Sequence, residues 1–131
     1  MKTVLFACVH NAGRSQMAAA FFNALVDPAK AHGISAGTSP ADRVHPEVVA
    51  AMREAGVDLS GVSPQKLTGD RVQGVDVLVT MGCGEECPFV PGARVEDWAV
   101  QDPKGRPPEE VRAIRDDIRA RVAALIAREG I

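Results

Sequence analysis

"ACVHNAGRS", residues 7–15, follows directly on the apolar run "TVLF" at residues 3–6. Thr3 to Ala7 is a continuous apolar stretch with β-branched members, the pattern of a strand covered on both faces. From Ser15 to Val26, "SQMAAAFFNALV" is rich in helix formers, with Met17, Phe21, Phe22 and Leu25 on one stripe. The quoted stretch is therefore a loop joining a strand to a helix, and it places a cysteine at the strand's end. Working outward, "AHGISAGTSP" reads as a second strand leaving into a turn, and "HPEVVAAMREAG" as a helix with Pro46 near its start and Gly56 at its end. Residues 61–73 read as loop with one helical turn, and "VDVLVTMG" is the clearest central strand. A Gly-, Pro- and acid-rich segment from Cys83 to Pro108 holds one short strand at Ala93 to Trp98. Pro107 and Glu109 open a last helix running to about Arg128, with Val111, Ile114, Ile118, Val122 and Leu125 turned inward.

Strands alternating with helices predict an α/β fold of three layers, a central four-stranded parallel sheet with helices on both faces. No repeat or linker interrupts the 131 residues, which read as one domain, 1–131. Ligands in such sheets sit beyond the carboxyl ends of the strands, where Cys8 and Cys83 both fall.

Composition removes several function classes. The formal net charge is −2 with both signs spread along the chain, and tyrosine is absent, which argues against a nucleic-acid face. The apolar start is cut short by "HNAGRSQ", so it reads neither as a signal peptide nor as a membrane span. Three cysteines in a chain without an export signal fit a reducing cytoplasm and catalytic or metal-binding use.

The first loop has the make-up of an oxyanion cradle. Gly13 permits a turn that larger residues resist, and Ala12 leaves room for close approach. Successive amides of Val9, His10, Asn11, Ala12, Gly13, Arg14 and Ser15 can turn inward as an anion nest, joined by the positive end of the following helix. The Arg14 guanidinium suits two oxygens of a tetrahedral oxyanion. Beneath such positive potential a thiol serves as a nucleophile, with the Ser15 hydroxyl available to it and Asn11 bracing the loop. Read alone, Cys8 is a small buried hydrophobe; Cys-x5-Arg-Ser between a strand and a helix favours function.

"CVHNAGRSQMA" resembles the phosphate-binding signature of the low-molecular-weight protein tyrosine phosphatases and of the arsenate reductases that share their fold. The likeness continues through "SAGT" and "AMREAGVDLS", and in "VLVTMGCGEECP" and "EDWAVQDP" it favours the reductase branch. It implies that Cys8 is the nucleophile, Arg14 the oxyanion clamp, Asn11 and Ser15 the pair that stabilises the thiolate, and Asp102 the general acid. Against that role, Asp-Pro pairs such as Asp102-Pro103 also simply start turns.

Arsenate reduction needs two electrons, which thiols supply. The resemblance implies that Cys83 and Cys87 relay them from Cys8 to an external reductant of the thioredoxin type, by way of a Cys83–Cys87 disulfide. Because residues four apart on a regular helix direct their sulfurs poorly for bonding, "GCGEECP" is expected to bend. A related branch couples to mycothiol and mycoredoxin, so the donor stays open between the two. No cofactor or metal is expected, and the chain is read as a cytoplasmic monomer. His10 reads as pocket rim, and His32 and His45 as surface or cap residues. Trp98 is expected to pack beneath the Asp102 loop. Two rivals remain: a tyrosine phosphatase, which would not need Cys83 or Cys87, and a binding module, either an oxyanion sensor or a zinc-stabilised adaptor held by the cysteines and His10.

Overall fold

In the computed structural model, which describes residues 1–82 and 92–131, four strands and four helices follow in the order β1 (Lys2–Cys8), α1 (Arg14–Leu25), β2 (Ala31–Gly37), α2 (Pro46–Glu54), α3 (Gly69–Val72), β3 (Val77–Thr80), β4 (Arg94–Asp97) and α4 (Pro108–Glu129). Cys83 and Cys87 lie outside the described residues.

All strands run parallel in the order β2-β1-β3-β4. Connections from β1 lead one way to β2, while β3 lies on its other side. The strand order therefore reverses at the carboxyl end of β1, where a ligand crevice opens in doubly wound sheets. Cys8 is the last residue of β1, opposite Gly37 at the end of β2.

Strand alternation divides the core. Val4, Phe6, Cys8, Val77 and Val79 face a large cluster with residues from α1, α2 and α4. Leu5, Ala7, Ala36 and Leu78 face a smaller one with Val75, backed by Leu67 and by Val72 of α3. The thicker helical layer thus lies on the Cys8 side of the sheet.

Helix α4 follows the sequence closely. Pro108 occupies its first turn with Glu109 and Glu110, and Gly130 caps its end at φ 67°. The five residues assigned inward are all buried. In α1, Met17, Phe21 and Phe22 are buried, but Leu25 is 44% exposed. The helix ends at Leu25, and the next residue, Val26, turns in to close the core, its amide donating to the Phe22 carbonyl. Trp98 is buried, its ring centroid 5.9 Å from that of Phe6. It packs into the core under the sheet, and its indole N–H donates to Glu96.

Candidate active site

The β1–α1 loop turns its carbonyls outward. Thr38 donates to the Cys8 carbonyl, Ser39 to that of Val9, Ala41 to that of His10 and His45 to that of Ala12. The Asn11 carbonyl accepts from the Gln16 amide group, and the Gly13 carbonyl from Met17 at the first closed turn of α1. The main-chain amides of residues 9–16 find no acceptor among the described residues. No acidic residue stands in the first turn of α1, and no side chain caps it. The amides and the helix's positive end are both left for an anion.

Within this cradle the polar side chains form a directed chain. Asn11 Oδ1 accepts from the Gln65 amide at 2.8 Å and from Gln16 Nε2 at 3.1 Å. Those two donors fix which end of the Asn11 amide is oxygen, so Nδ2 donates to Ser15 Oγ at 2.7 Å. Ser15 Oγ lies 2.9 Å from Cys8 Sγ. With its oxygen already accepting from Asn11, the hydroxyl hydrogen is free to point at the sulfur. Cys8, Asn11 and Ser15 are all buried.

Asn11, not Gly13, takes the left-handed turn, at φ 50°. Asparagine tolerates that region better than most residues, and its side chain anchors it there. Gly13 lies at φ −144° and ψ −91°, and it also needs space. A methyl group on Gly13 would lie 3.1 Å from Pro103 Cγ and 3.5 Å from His45 Cδ2. Gly37 is tighter still, because a methyl there would lie 2.6 Å from the Val9 carbonyl oxygen.

Arg14 lies across the mouth. Its Nη1 donates to the Val100 carbonyl at 3.3 Å, and its Nη2 stands 3.9 Å from Asp102 Oδ2. Gly82 leaves room for it, since a methyl there would meet Nη1 at 2.6 Å. The Asp102 side chain is 45% exposed, with Oδ1 accepting from the Lys104 amide. A carboxyl group so placed can exchange protons with solvent and with a bound oxyanion. His10 sits at the rim, its Nδ1 3.1 Å from the Ser39 carbonyl oxygen.

The fold thus brings Cys8, Val9, His10, Asn11, Ala12, Gly13, Arg14, Ser15 and Asp102 to one edge. The sequence does not single out Gln16, Gly37, Gln65 and Glu47, which support the loops from behind, and His45 reads there as a surface or cap residue. Of these Gly37 carried a signal, as the glycine of "SAGT". His45 does begin α2, but its half-buried ring lies against the cradle, where burial lowers its pKa below 6.5 despite the carboxylates of Glu47 and Asp102; Lys104 and His10 also act to lower it.

The family model described as low molecular weight phosphotyrosine protein phosphatase matches residues 3–129. The chain belongs to that family. Within it, the chain is 44% identical over 126 residues to a candidate arsenate reductase of Halobacterium salinarum, covering 92% of this chain and 87% of that one. It is 37% identical to the glutaredoxin arsenate reductase of Synechocystis, covering 98% of both. Among solved structures, the thioredoxin-dependent arsenate reductase of Corynebacterium glutamicum superposes with a TM-score of 0.85 at 37% identity, covering 98% of this chain. This chain spans about three fifths of that one (61%). The chain therefore sits among the family's arsenate reductases.

Proposed function

We propose that this chain reduces arsenate to arsenite with Cys8 as nucleophile. The Cys8 thiolate attacks arsenic, forming a sulfur–arsenic bond, while Asp102 protonates the oxygen that leaves. The loop amides and Arg14 hold the remaining oxygens. Cys83 then attacks the Cys8 sulfur: a Cys8–Cys83 disulfide forms, the sulfur–arsenic bond breaks, and its electron pair stays on arsenic, which departs as arsenite. Cys87 attacks Cys83 in turn, freeing Cys8 and leaving a Cys83–Cys87 disulfide for an external thiol. Two electrons leave the protein's thiols for each arsenate, and a thioredoxin-type dithiol restores them. The thiols call for a reducing compartment, the cytoplasm, and each step lies within one chain, so a monomer suffices.

The observation that carries this reading is the loop itself. Among the described residues its amides have no acceptor, its carbonyls are engaged elsewhere, and the Ser15 hydroxyl lies 2.9 Å from Cys8 Sγ. Such a cradle serves phosphate and arsenate alike, and the reductase-type relatives favour arsenate.

Steady-state arsenate reduction supported by thioredoxin and thioredoxin reductase tests the proposal, run beside a mycothiol–mycoredoxin system. Turnover with the first is expected. Turnover with the second alone would replace the electron donor, and hydrolysis of aryl phosphates with no arsenite from either would make the protein a phosphatase.

A further inference from the structure

Helix α2 starts between two loops and holds one with each of two residues. The His45 amide donates to the Ala12 carbonyl at 2.9 Å, tying α2 to the oxyanion loop. Two residues on, Glu47 Oε2 accepts from the Gly105 amide at 3.1 Å, tying the same helix turn to the loop that carries Asp102. An acidic residue in a first helical turn ordinarily serves its own helix's open amides. Here the carboxylate accepts instead from a residue 58 positions away.

The Asp102 loop has its own internal frame. Asp102 Oδ1 accepts from the Lys104 amide, the Asp102 carbonyl accepts from Arg106 Nε at 2.7 Å, and Gly105 turns the chain at φ 72°. These bonds shape the loop from within. Its attachment near Asp102 comes from Arg14, 3.9 Å away, from Pro103 packed on Gly13, and from Glu47. A bound oxyanion competes for Arg14, which leaves two polar ties among the described residues: Glu47, and Arg106, which holds the Asp102 carbonyl and pairs with Glu110 of α4 at 3.5 Å. Of the two, Glu47 ties the loop to the helix turn that also holds the oxyanion loop.

We infer that Glu47 is a positioning residue that latches the Asp102 loop to α2 and keeps the Asp102 carboxyl over the oxyanion loop when Arg14 turns to substrate. The inference rests on the reading of Asp102 as general acid. Loss of the latch lets the loop swing, so proton delivery suffers while oxyanion binding, the task of Arg14 and the amides, does not.

The test is a cycle of Glu47→Ala, Glu47→Gln, Asp102→Asn and the Glu47→Ala/Asp102→Asn double variant, with kcat and KM for arsenate measured alongside hydrogen exchange at the Gly105 amide. Glu47→Ala should lower kcat on the order of tenfold, inside the hundredfold that a misplacement of about 1 Å can cost, and leave KM unchanged. Glu47→Gln keeps an acceptor oxygen and should recover most of that loss. Gly105 exchange should quicken in Glu47→Ala, and the double variant should be no slower than Asp102→Asn alone. An unchanged kcat in Glu47→Ala, or losses that multiply in the double variant, would overturn the latch. An undiminished kcat in Asp102→Asn would instead remove the general acid itself, whatever Glu47 does.

Discussion

Ser15 Oγ stands 2.9 Å from Cys8 Sγ with its own oxygen already accepting from Asn11. The hydroxyl is therefore placed to donate to a Cys8 thiolate, which can only accept. A hydrogen bond to a charged group contributes about 1.5–3 kcal/mol, on the order of ten- to a hundredfold in rate. Ser15→Ala should slow alkylation of Cys8 by iodoacetamide by about tenfold at fixed neutral pH, with an unchanged circular dichroism spectrum. Alkylation at the wild-type rate would detach Ser15 from the sulfur's chemistry.

Gly37 supports the oxyanion loop by lacking a side chain. A methyl group there would press on the Val9 carbonyl oxygen at 2.6 Å and on the Asn11 amide at 2.9 Å, both backbone atoms that cannot swing aside. Gly37→Ala should lower unfolding stability by about 1–3 kcal/mol, the usual cost of overpacking. It should weaken phosphate binding by more than Gly61→Ala, where nothing lies within 4 Å. Chemical denaturation and calorimetric titration give the two readouts.

Gly82 tests the guanidinium separately from the loop. Its φ of 87° and the 2.6 Å approach to Arg14 Nη1 leave no room for a side chain unless Arg14 moves. Gly82→Ala should raise KM for arsenate more than it lowers kcat, because Arg14 is displaced while Cys8 and Ser15 stay in place. An effect confined to kcat would count against Arg14 as the oxyanion clamp.

Much of this architecture was readable before any coordinates. The strand ending in Cys8 and the helix opening at Arg14 announce themselves because an unbroken apolar run changes abruptly to a 3.6-residue stripe. Helix α4 is legible for the same reason: the sequence opens it at Pro107 and Glu109 and ends it near Arg128, and the structure runs it from Pro108 to Glu129. Leu25 continues the apolar stripe in the sequence, but it ends α1 with its side chain exposed, and Val26 turns inward in its place. Asn11's left-handed backbone is not legible in the sequence, because the anchors that hold it there, Gln16 and Gln65, include one 54 residues away. Glu47 was invisible for a similar reason: its partner, Gly105, is brought near only by the fold.

The His45 ring gives a pH signature. Burial lowers its pKa from 6.5, so folding favours the neutral ring, and the unfolded chain binds more protons just below that value. The stability it contributes is present above about pH 6.5 and is lost as pH falls from there through the lowered pKa of the folded ring. Thermal unfolding at pH 7.5 and 5.5 should show a larger drop in Tm for the wild type than for His45→Gln. An equal drop in both would mean that other groups carry the acid sensitivity.

Arsenite release by Cys83→Ser, followed over many equivalents of arsenate with thioredoxin, thioredoxin reductase and NADPH in excess, tests the electron relay most directly. The wild type should turn over repeatedly, whereas Cys83→Ser should release essentially no arsenite and Cys87→Ser at most about one equivalent per chain. Sustained arsenite production by Cys83→Ser at the wild-type rate would contradict the relay and leave Cys8 with a different partner in the reduction.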